Sequence, residues 1–559
     1  MKKVKIILVL TLAVSFAIAM CGCGDTGSSD SPMAKASTGT YVGQDNDGVQ
    51  EFLGIRYGEF TPYKPASDVT TTEEDEIQAT EWGANCIQPY DEVEDASKDP
   101  CSQDCLFLNV WTKDTETKDK PVIVWIHGGS YIWGGTTDPL YHGGNFVRNL
   151  PEGEDCVFVT LNYRLSIMGG LDLSSLDGYT DEYSKSWNLS KLDQTQALKW
   201  VNENIEAFGG NTENITIMGH SSGGAAVQML MADPDSNKYF NRVIENSGVQ
   251  NQVSMSDELF KENSKKVLQI LGVKSVDELV NLTDEQISDK MIEINESVSG
   301  IGNRAADGDV ISETWWDDLR EGSAKDIDLF IGSVNGEEDW DSTDWDKGPA
   351  AAVTDYRPEY NSLKKSNEKY AKTYGRLLPF KQEGIVESYM NEAMKEGQSD
   401  VMAIQSLVND MAATYPSLLA AEAQSKWNDN VYMYYWEYAP DKDEVVEYMG
   451  DEAEVSPWNR ALHSMDVNFE FGNIEDGYTN QTGDPAKVPM DLVTKMQSAV
   501  YNFAKTGNPN NENIPEWKAY NENSQATMVI GLDTKWSCEK NYRGDLMDIL
   551  KKVRPYGEK

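Results

Sequence analysis

The chain has 559 residues, with 48 Lys and Arg against 93 Asp and Glu, so its formal net charge at pH 7 is −45. Such an acidic chain lacks the basic face that contact with phosphate backbones requires, which argues against a nucleic-acid partner. Hydrophobic residues make up 39% of the sequence, including 15 Trp and 26 Tyr, which is enough for a large core and argues against global disorder.

The first 22 residues have the pattern of an export signal. Three lysines within the first five residues precede an apolar run over residues 6–20, which is too short to span a membrane as a mature helix. No later segment has the length and apolarity of a transmembrane helix. We therefore expect residues 1–22 to be removed and the mature chain to be exported.

The end of this run resembles a bacterial lipoprotein signal, in which cleavage leaves a lipid-modified Cys at the new N-terminus. Cys23, preceded by Gly22, fits that pattern better than Cys21, which follows Met20. The resemblance implies a cell-surface lipoprotein held at the membrane by Cys23, and ordinary secretion is the alternative. Residues 23–38, rich in small and polar side chains, are interpreted as a flexible tether.

Five cysteines follow the signal: Cys86, Cys101, Cys105, Cys156 and Cys538. Export permits disulfides, but an odd number leaves at least one thiol unpaired, and the sequence alone does not fix the pairing. These cysteines and the four histidines lack the spacing of zinc ligands. We expect neither a metal nor a cofactor.

Apolar runs with strand character alternate with helical patterns along the chain. Strands are predicted over residues 52–57, 104–111, 121–126, 157–161, 215–218, 243–248, 329–332 and 431–438, and helices over 192–205, 256–296, 358–428 and 488–505. The runs 121–126 and 157–161 are continuously apolar, as expected of strands covered on both faces. The alternation predicts an α/β architecture with a mostly parallel sheet.

The segment Gly219-His220-Ser221-Ser222-Gly223 lies between a predicted strand and a predicted helix. The pattern G-x-S-x-G in that context is the nucleophile elbow of α/β-hydrolases. The turn is so tight that the central serine takes strained backbone angles, and the glycines remove side chains that would clash. Ser221 is therefore a candidate nucleophile at a helix N-terminus, where negative charge is favoured.

A serine nucleophile needs a histidine base downstream, and the chain has four histidines. His127 lies in a glycine turn, His220 lies inside the elbow, and His142 precedes two glycines upstream of the elbow. His463 lies in a segment predicted as a loop downstream of the elbow. This position agrees with the chain order serine, acid, histidine of the α/β-hydrolases.

These motifs together resemble the type-B carboxylesterase family, which includes cholinesterases and bacterial para-nitrobenzyl esterases. The matches run in family order over nearly the whole mature chain, from about residue 38 to 550: QDCLFLNV at 103–110, WIHGG at 125–129, NYR at 162–164, DQ at 193–194, FGGN at 208–211, the elbow, DG at 307–308, Glu337, His463 with Asp466, and FAKTGNP at 503–509. The resemblance implies an α/β-hydrolase fold over residues 39–555, a single domain whose twisted, mostly parallel sheet is flanked by helices, with inserted helical segments over the active site.

Carried over residue by residue, the resemblance makes Ser221 the nucleophile, His463 the general base and acid, and Glu337 the acid that orients His463. The choice of Glu337 over Glu338 or Asp339 rests on alignment with the family's acid after a strand. The resemblance also implies an oxyanion hole. Its donors are the backbone N–H groups of Gly129, Ser130 and Ser222.

Three residues depart from the family pattern. Ser130 stands where a third glycine is usual, His220 replaces the usual Glu before the nucleophile, and Ser222 replaces the usual Ala after it. Since the family places an acidic network with Ser247 behind the triad, His220 is expected either to pair with Asp466 or to be a packing residue.

Cys86 and Cys105 match the family's first disulfide, and the nearby Cys101 is a competing partner. The implied activity is hydrolysis of small-molecule carboxylic esters through an acyl-enzyme. A catalytically silent binding or adhesion member of the family, and a serine amidase, are the alternatives. Neither the natural substrate nor the oligomeric state is predicted.

Overall fold

The apolar runs form the centre of one eleven-stranded sheet in the computed structural model of the chain. The structure describes residues 31–89, 101–248, 255–298, 300–302, 304–337, 385–450, 453, 455–456, 459–474 and 481–552. Its strands are β1 Met33–Ala36, β2 Gly39–Val42, β3 Gln44–Asn46, β4 Val49–Arg56, β5 Glu76–Gln78, β6 Asn85–Cys86, β7 Cys101–Ser102, β8 Phe107–Thr112, β9 Lys120–Ile126, β10 Val157–Leu161, β11 Gly210–His220, β12 Arg242–Asn246, β13 Asp328–Val334, β14 Val431–Trp436, β15 Ala526–Ile530 and β16 Trp536–Lys540.

The strand order in the main sheet is β16-β15-β14-β13-β12-β11-β9-β10-β8-β4-β3. The neighbours from β10 through β9 and β11 to β15 pair in parallel, and the outer strands pair antiparallel. Every residue of β9, β10 and β14 is buried, as expected where helices cover both faces. The carboxyl ends of these parallel strands therefore share one edge of the sheet.

Helices lie between the strands, as the alternating pattern predicts. They are α1 Gly144–Asn149, α2 Ser166–Gly169, α3 Leu189–Asn204, α4 Ser222–Ala232, α5 Asp257–Leu271, α6 Val276–Val280, α7 Asp284–Ser297, α8 Trp315–Arg320, α9 Ile385–Lys395, α10 Asp400–Asn409, α11 Tyr415–Gln424, α12 Lys442–Met449, α13 Met465–Phe471, α14 Met490–Thr506 and α15 Gly544–Leu550. A π-helical turn, Asp410–Thr414, joins α10 to α11. Short 3₁₀ turns cover Pro139–Tyr141, Asp181–Tyr183, Ile205–Phe208, Asn237–Tyr239 and Pro485–Lys487.

The predicted tether is too long at its C-terminal end. Strand β1 pairs antiparallel with β2, and the two form a small three-stranded sheet with β5. Ala34 and Ala36 are buried while Met33 and Lys35 face solvent, so this segment has the period-two pattern of a half-buried strand. The compact unit of the chain begins at Pro32. Residues 1–30, with the predicted signal and Cys23, lie outside the described part.

Two further segments differ from their predicted secondary structure or are described only in part. The segment after His463, predicted as a loop, becomes helix α13, whose seven residues are all buried. The predicted helical stretch 358–428 contains α9, α10, the π-helical turn and α11, with a break at residues 396–399, and residues 358–384 lie outside the described part. Among the described residues, no helix is both long enough and apolar enough to cross a membrane.

Candidate active site

The nucleophile elbow joins β11 to α4 at Ser221, which has φ 58° and ψ −122°. A side chain at Gly219 would place its Cβ 2.4 Å from the Gly223 carbonyl oxygen, and one at Gly223 would place it 2.1 Å from the Ile126 oxygen. Only glycine tolerates such close approaches. The Ser221 N–H donates to the Asn246 carbonyl at 3.0 Å, which ties the elbow to the end of the neighbouring strand β12.

His463 and Glu337 meet at the same edge of the sheet. The His463 Nδ1 lies 2.5 Å from the Glu337 Oε2, and the other carboxylate oxygen of Glu337 accepts the Val334 N–H at 2.9 Å. Glu337 is 4% exposed, so this contact is shielded from water. A buried carboxylate on Nδ1 fixes the tautomer of an imidazole and leaves Nε2 available as a base.

The loops that carry this pair are held together by backbone contacts. Gly336 and Leu462 form a parallel β-bridge, and the Asn335 side chain accepts the Ala461 N–H at 2.8 Å. A Cβ on Gly336 would lie 2.6 Å from the Ala461 oxygen. Asn335 was not among the residues predicted for the site, since no local pattern marks it.

The loop after β9 lies against the elbow. A Cβ on Gly128 would lie 2.8 Å from the His220 oxygen and 3.0 Å from the Ser221 Cβ. Gly129, Ser130 and Tyr131 all have positive φ, at 98°, 56° and 58°. The loop with the predicted oxyanion residues Gly129 and Ser130 therefore lies against Ser221 at Gly128 and against Ser222, the first residue of α4, at Tyr131.

The expected pairing of His220 with Asp466 is wrong. The Asp466 carboxylate accepts the Tyr434 hydroxyl at 2.5 Å, and the His220 ring packs on the His463 ring with 4.3 Å between centroids. The His220 Nε2 is buried and has no hydrogen-bond partner among the described residues. Burial, and then the charge of His463, hold the pKa of His220 well below its usual range. The alternative expectation, that His220 is a packing residue, agrees with this contact.

Carboxylates do lie behind the triad. Burial raises the pKa of Asp466 to about 6, and burial and the Asp466 charge raise the pKa of Glu470 well above its usual range. The Asn246 amide donates to Glu470 at 2.5 Å. Ser247 contributes its N–H to the Gly332 carbonyl at 2.8 Å, while its buried hydroxyl lacks a partner within the described residues. Glu470 and Tyr434 join the site only through the tertiary structure.

The disulfide expected between Cys86 and Cys105 is absent, since all five described cysteines are free thiols. Burial, and then the neighbouring Cys86 thiol, raise the pKa of Cys105 well above its usual range. The thiolate is the form of cysteine that reacts, so the raised pKa of the buried thiol disfavours formation of the disulfide. Cys101 is partly exposed.

Across the described ranges, no group of three or more His, Cys, Asp or Glu side chains could hold a metal ion.

Comparison with known proteins agrees with this geometry. A family model described as the carboxylesterase family matches residues 30–549. The chain belongs to the carboxylesterase family. It is 32% identical over 509 residues to a para-nitrobenzyl esterase of Bacillus subtilis, covering 88% of this chain and 93% of the relative. It is 28% identical to carboxylesterase 1D of Mus musculus, covering 78% of this chain and 74% of that protein.

Solved structures give the same result. A Geobacillus stearothermophilus carboxylesterase superposes with a TM-score of 0.75 and 26% identity, covering 92% of this chain and 99% of that one. A thermophilic para-nitrobenzyl esterase superposes with a TM-score of 0.73 and 27% identity, covering 93% and 99%. The α/β-hydrolase fold and the enzyme class, a hydrolase of carboxylic esters, are therefore confirmed.

Proposed function

We propose that this carboxylesterase cleaves small-molecule esters with Ser221 as nucleophile, His463 as general base and acid, and Glu337 as the residue that orients His463. The observation that supports this most directly is the contact of 2.5 Å between His463 and the buried Glu337 carboxylate. The His463 ring also packs on the ring of His220, 4.3 Å between centroids, and His220 directly precedes Ser221, whose φ of 58° is that of a nucleophile elbow.

The reaction follows from these positions. His463 Nε2 takes the Ser221 hydroxyl proton as the oxygen attacks the ester carbonyl, and Glu337 stabilises the imidazolium that forms. The backbone amides of Gly129, Ser130 and Ser222 stabilise the negative oxygen of the tetrahedral intermediate, where the loss of one donor costs about 10²- to 10³-fold in rate. The imidazolium then protonates the leaving alcohol. Water, activated by His463, releases the acid and frees Ser221.

The test is hydrolysis of para-nitrophenyl acetate by the purified protein, together with labelling by a fluorophosphonate. We expect Ser221→Ala to lose both activity and label, and His463→Ala to lose activity. His142→Ala is the matched control, because His142 stacks on Trp82 and hydrogen-bonds to the Thr137 carbonyl. This control should retain full activity.

Two outcomes favour the alternatives. A wild-type protein that neither hydrolyses esters nor takes the label would be a catalytically silent binding member of the family. A para-nitroanilide cleaved faster than the matching para-nitrophenyl ester would indicate an amidase.

For the location of the enzyme we propose export and attachment to the membrane through a lipid on Cys23. The proposal rests on the basic start, the short apolar run and the Gly22-Cys23 pair, followed by polar residues. Metabolic labelling with an alkyne fatty acid tests it. Cys23→Ser should lose the label and release the enzyme from membranes, whereas the neighbouring Cys21→Ser should change neither. The opposite result would assign the lipid to Cys21, and an unlabelled wild type would mean ordinary secretion.

A further inference from the structure

The oxyanion loop holds two side-chain-bearing residues in a conformation that favours glycine. Ser130 and Tyr131, with φ of 56° and 58°, follow Gly129 at φ 98°, so three consecutive residues are left-handed. For glycine this conformation carries no side-chain penalty, but residues with a Cβ adopt it only when their surroundings impose it.

The surroundings of Tyr131 do impose it. The Tyr131 carbonyl accepts the Ser166 N–H at 2.6 Å, and the Arg304 guanidinium lies 4.8 Å from the centre of the Tyr131 ring. The Tyr131 N–H donates to the Ser222 hydroxyl oxygen at 3.3 Å. Both Tyr131 and Ser222 are fully buried, so water does not compete for this bond.

The hydrogen bond from Tyr131 to Ser222 reaches a different part of the site from the Ser166 hydrogen bond and the Arg304 contact. Ser222 is adjacent to Ser221, so its hydroxyl ties the oxyanion loop directly to the nucleophile helix. At the other end of the loop, the Tyr163 phenol donates to the His127 carbonyl at 2.9 Å. The Ser222 hydroxyl therefore holds the Tyr131 end of the loop against helix α4.

We propose that Ser222 is a positioning residue, whose hydroxyl holds the loop Gly129–Ser130–Tyr131 in its left-handed conformation. This restraint compensates for the serine at position 130, since a glycine there would adopt the conformation freely. The inference rests on the proposed function. It assigns to the Ser222 side chain a role separate from that of its backbone amide.

The test is a double-mutant cycle of Ser222→Ala and Ser130→Gly. For each protein we measure kcat and KM for para-nitrophenyl acetate, and the inhibition constant of an aryl trifluoromethyl ketone, which binds as the tetrahedral oxyanion. We expect Ser222→Ala to lower kcat about 3- to 10-fold, the effect of one neutral hydrogen bond, with KM unchanged. The inhibition constant should rise by the same factor. In the Ser130→Gly background, Ser222→Ala should cost less than about 2-fold, because only Tyr131 then has a side chain in that conformation and its contacts with Ser166 and Arg304 remain.

Ser264→Ala is the matched control. The buried Ser264 hydroxyl likewise accepts a backbone N–H, that of Asp172 at 3.0 Å, but lies on helix α5. This variant should lose stability without losing kcat. If Ser222→Ala does not fold, Ser222→Cys, which keeps the side-chain volume and accepts hydrogen bonds weakly, should show a smaller loss that Ser130→Gly also removes.

An equal cost of the Ser222 substitution in both backgrounds would overturn the proposal. So would a fall in kcat without a matching rise in the inhibition constant. A wild-type enzyme that hydrolyses no ester would instead contradict the proposed function, which separates the two failures.

Discussion

The contact between His220 and His463 predicts how the enzyme responds to acid. In the wild type His220 is buried and neutral, and among the described residues the carboxyl groups of Glu337, on Nδ1, and of Asp466 lie near His463. The substitution His220→Glu would place a carboxylate at about the distance of the present ring, 4.3 Å between centroids. That carboxylate stabilises the imidazolium form of His463, which is the inactive form at the start of the reaction.

The size of the effect follows from Coulomb's law. Two unit charges 4.3 Å apart interact by about 4 kcal/mol at an effective dielectric constant of about 20, equivalent to about 3 pKa units. The His463 side chain is 20% exposed, and solvent screening reduces this value. We expect the apparent pKa of the acid limb of kcat/KM to rise by about 1 to 2 units in His220→Glu, so that activity is lost at a higher pH.

The assay is kcat/KM for a para-nitrophenyl ester between pH 4.5 and 9 for the wild type, His220→Glu and the neutral control His220→Gln. All three proteins retain Asp466 and Glu337, so the difference isolates the new charge. His220→Gln should leave the acid limb within about 0.3 units of the wild type. An equal shift in both variants, or a folded His220→Glu protein with an unchanged limb, would refute the reasoning.

Three further predictions concern the residues around the triad. Glu337→Gln should lower kcat by about 10²- to 10⁴-fold in steady-state assays, because the amide favours the wrong tautomer of His463; a loss below 10-fold would contradict the assigned role. Asn335→Ala removes the bond to the Ala461 N–H and should lower kcat about 3- to 10-fold with KM unchanged, whereas a rise in KM alone would argue against positioning. Burial raises the pKa of Glu245 to about 8 from 4.5, so the folded chain keeps a proton that the unfolded chain loses, and stability falls as pH rises through that window. Glu245→Gln should therefore raise the melting temperature little at pH 4.5 and most above pH 8; an equal gain at both pH values would refute this.

Much of the fold could be predicted because local patterns carry it. The continuous apolar runs over residues 121–126 and 157–161 became fully buried parallel strands, since a strand covered on both faces has no polar side to alternate. The elbow could also be predicted, because a Cβ at position 219 or 223 would lie 2.4 Å or 2.1 Å from a backbone oxygen, so that the turn admits only glycine there. Strand β1 was missed because its four residues are too few for a period-two pattern to stand out.

What the sequence by itself determined is the candidate nucleophile Ser221, its strand–turn–helix setting and, by chain order, the candidate base His463. The partners of these residues depend on the tertiary structure. His463 and Glu337 are 126 residues apart and meet because strand β13 ends at the edge of the sheet where the His463 loop passes. Asp466 takes Tyr434 rather than His220, since β14 presents that hydroxyl to the buried face of α13. The local sequence shows which candidate side chains are present. The order in which the parallel strands pair in the sheet decides which of those side chains are in contact.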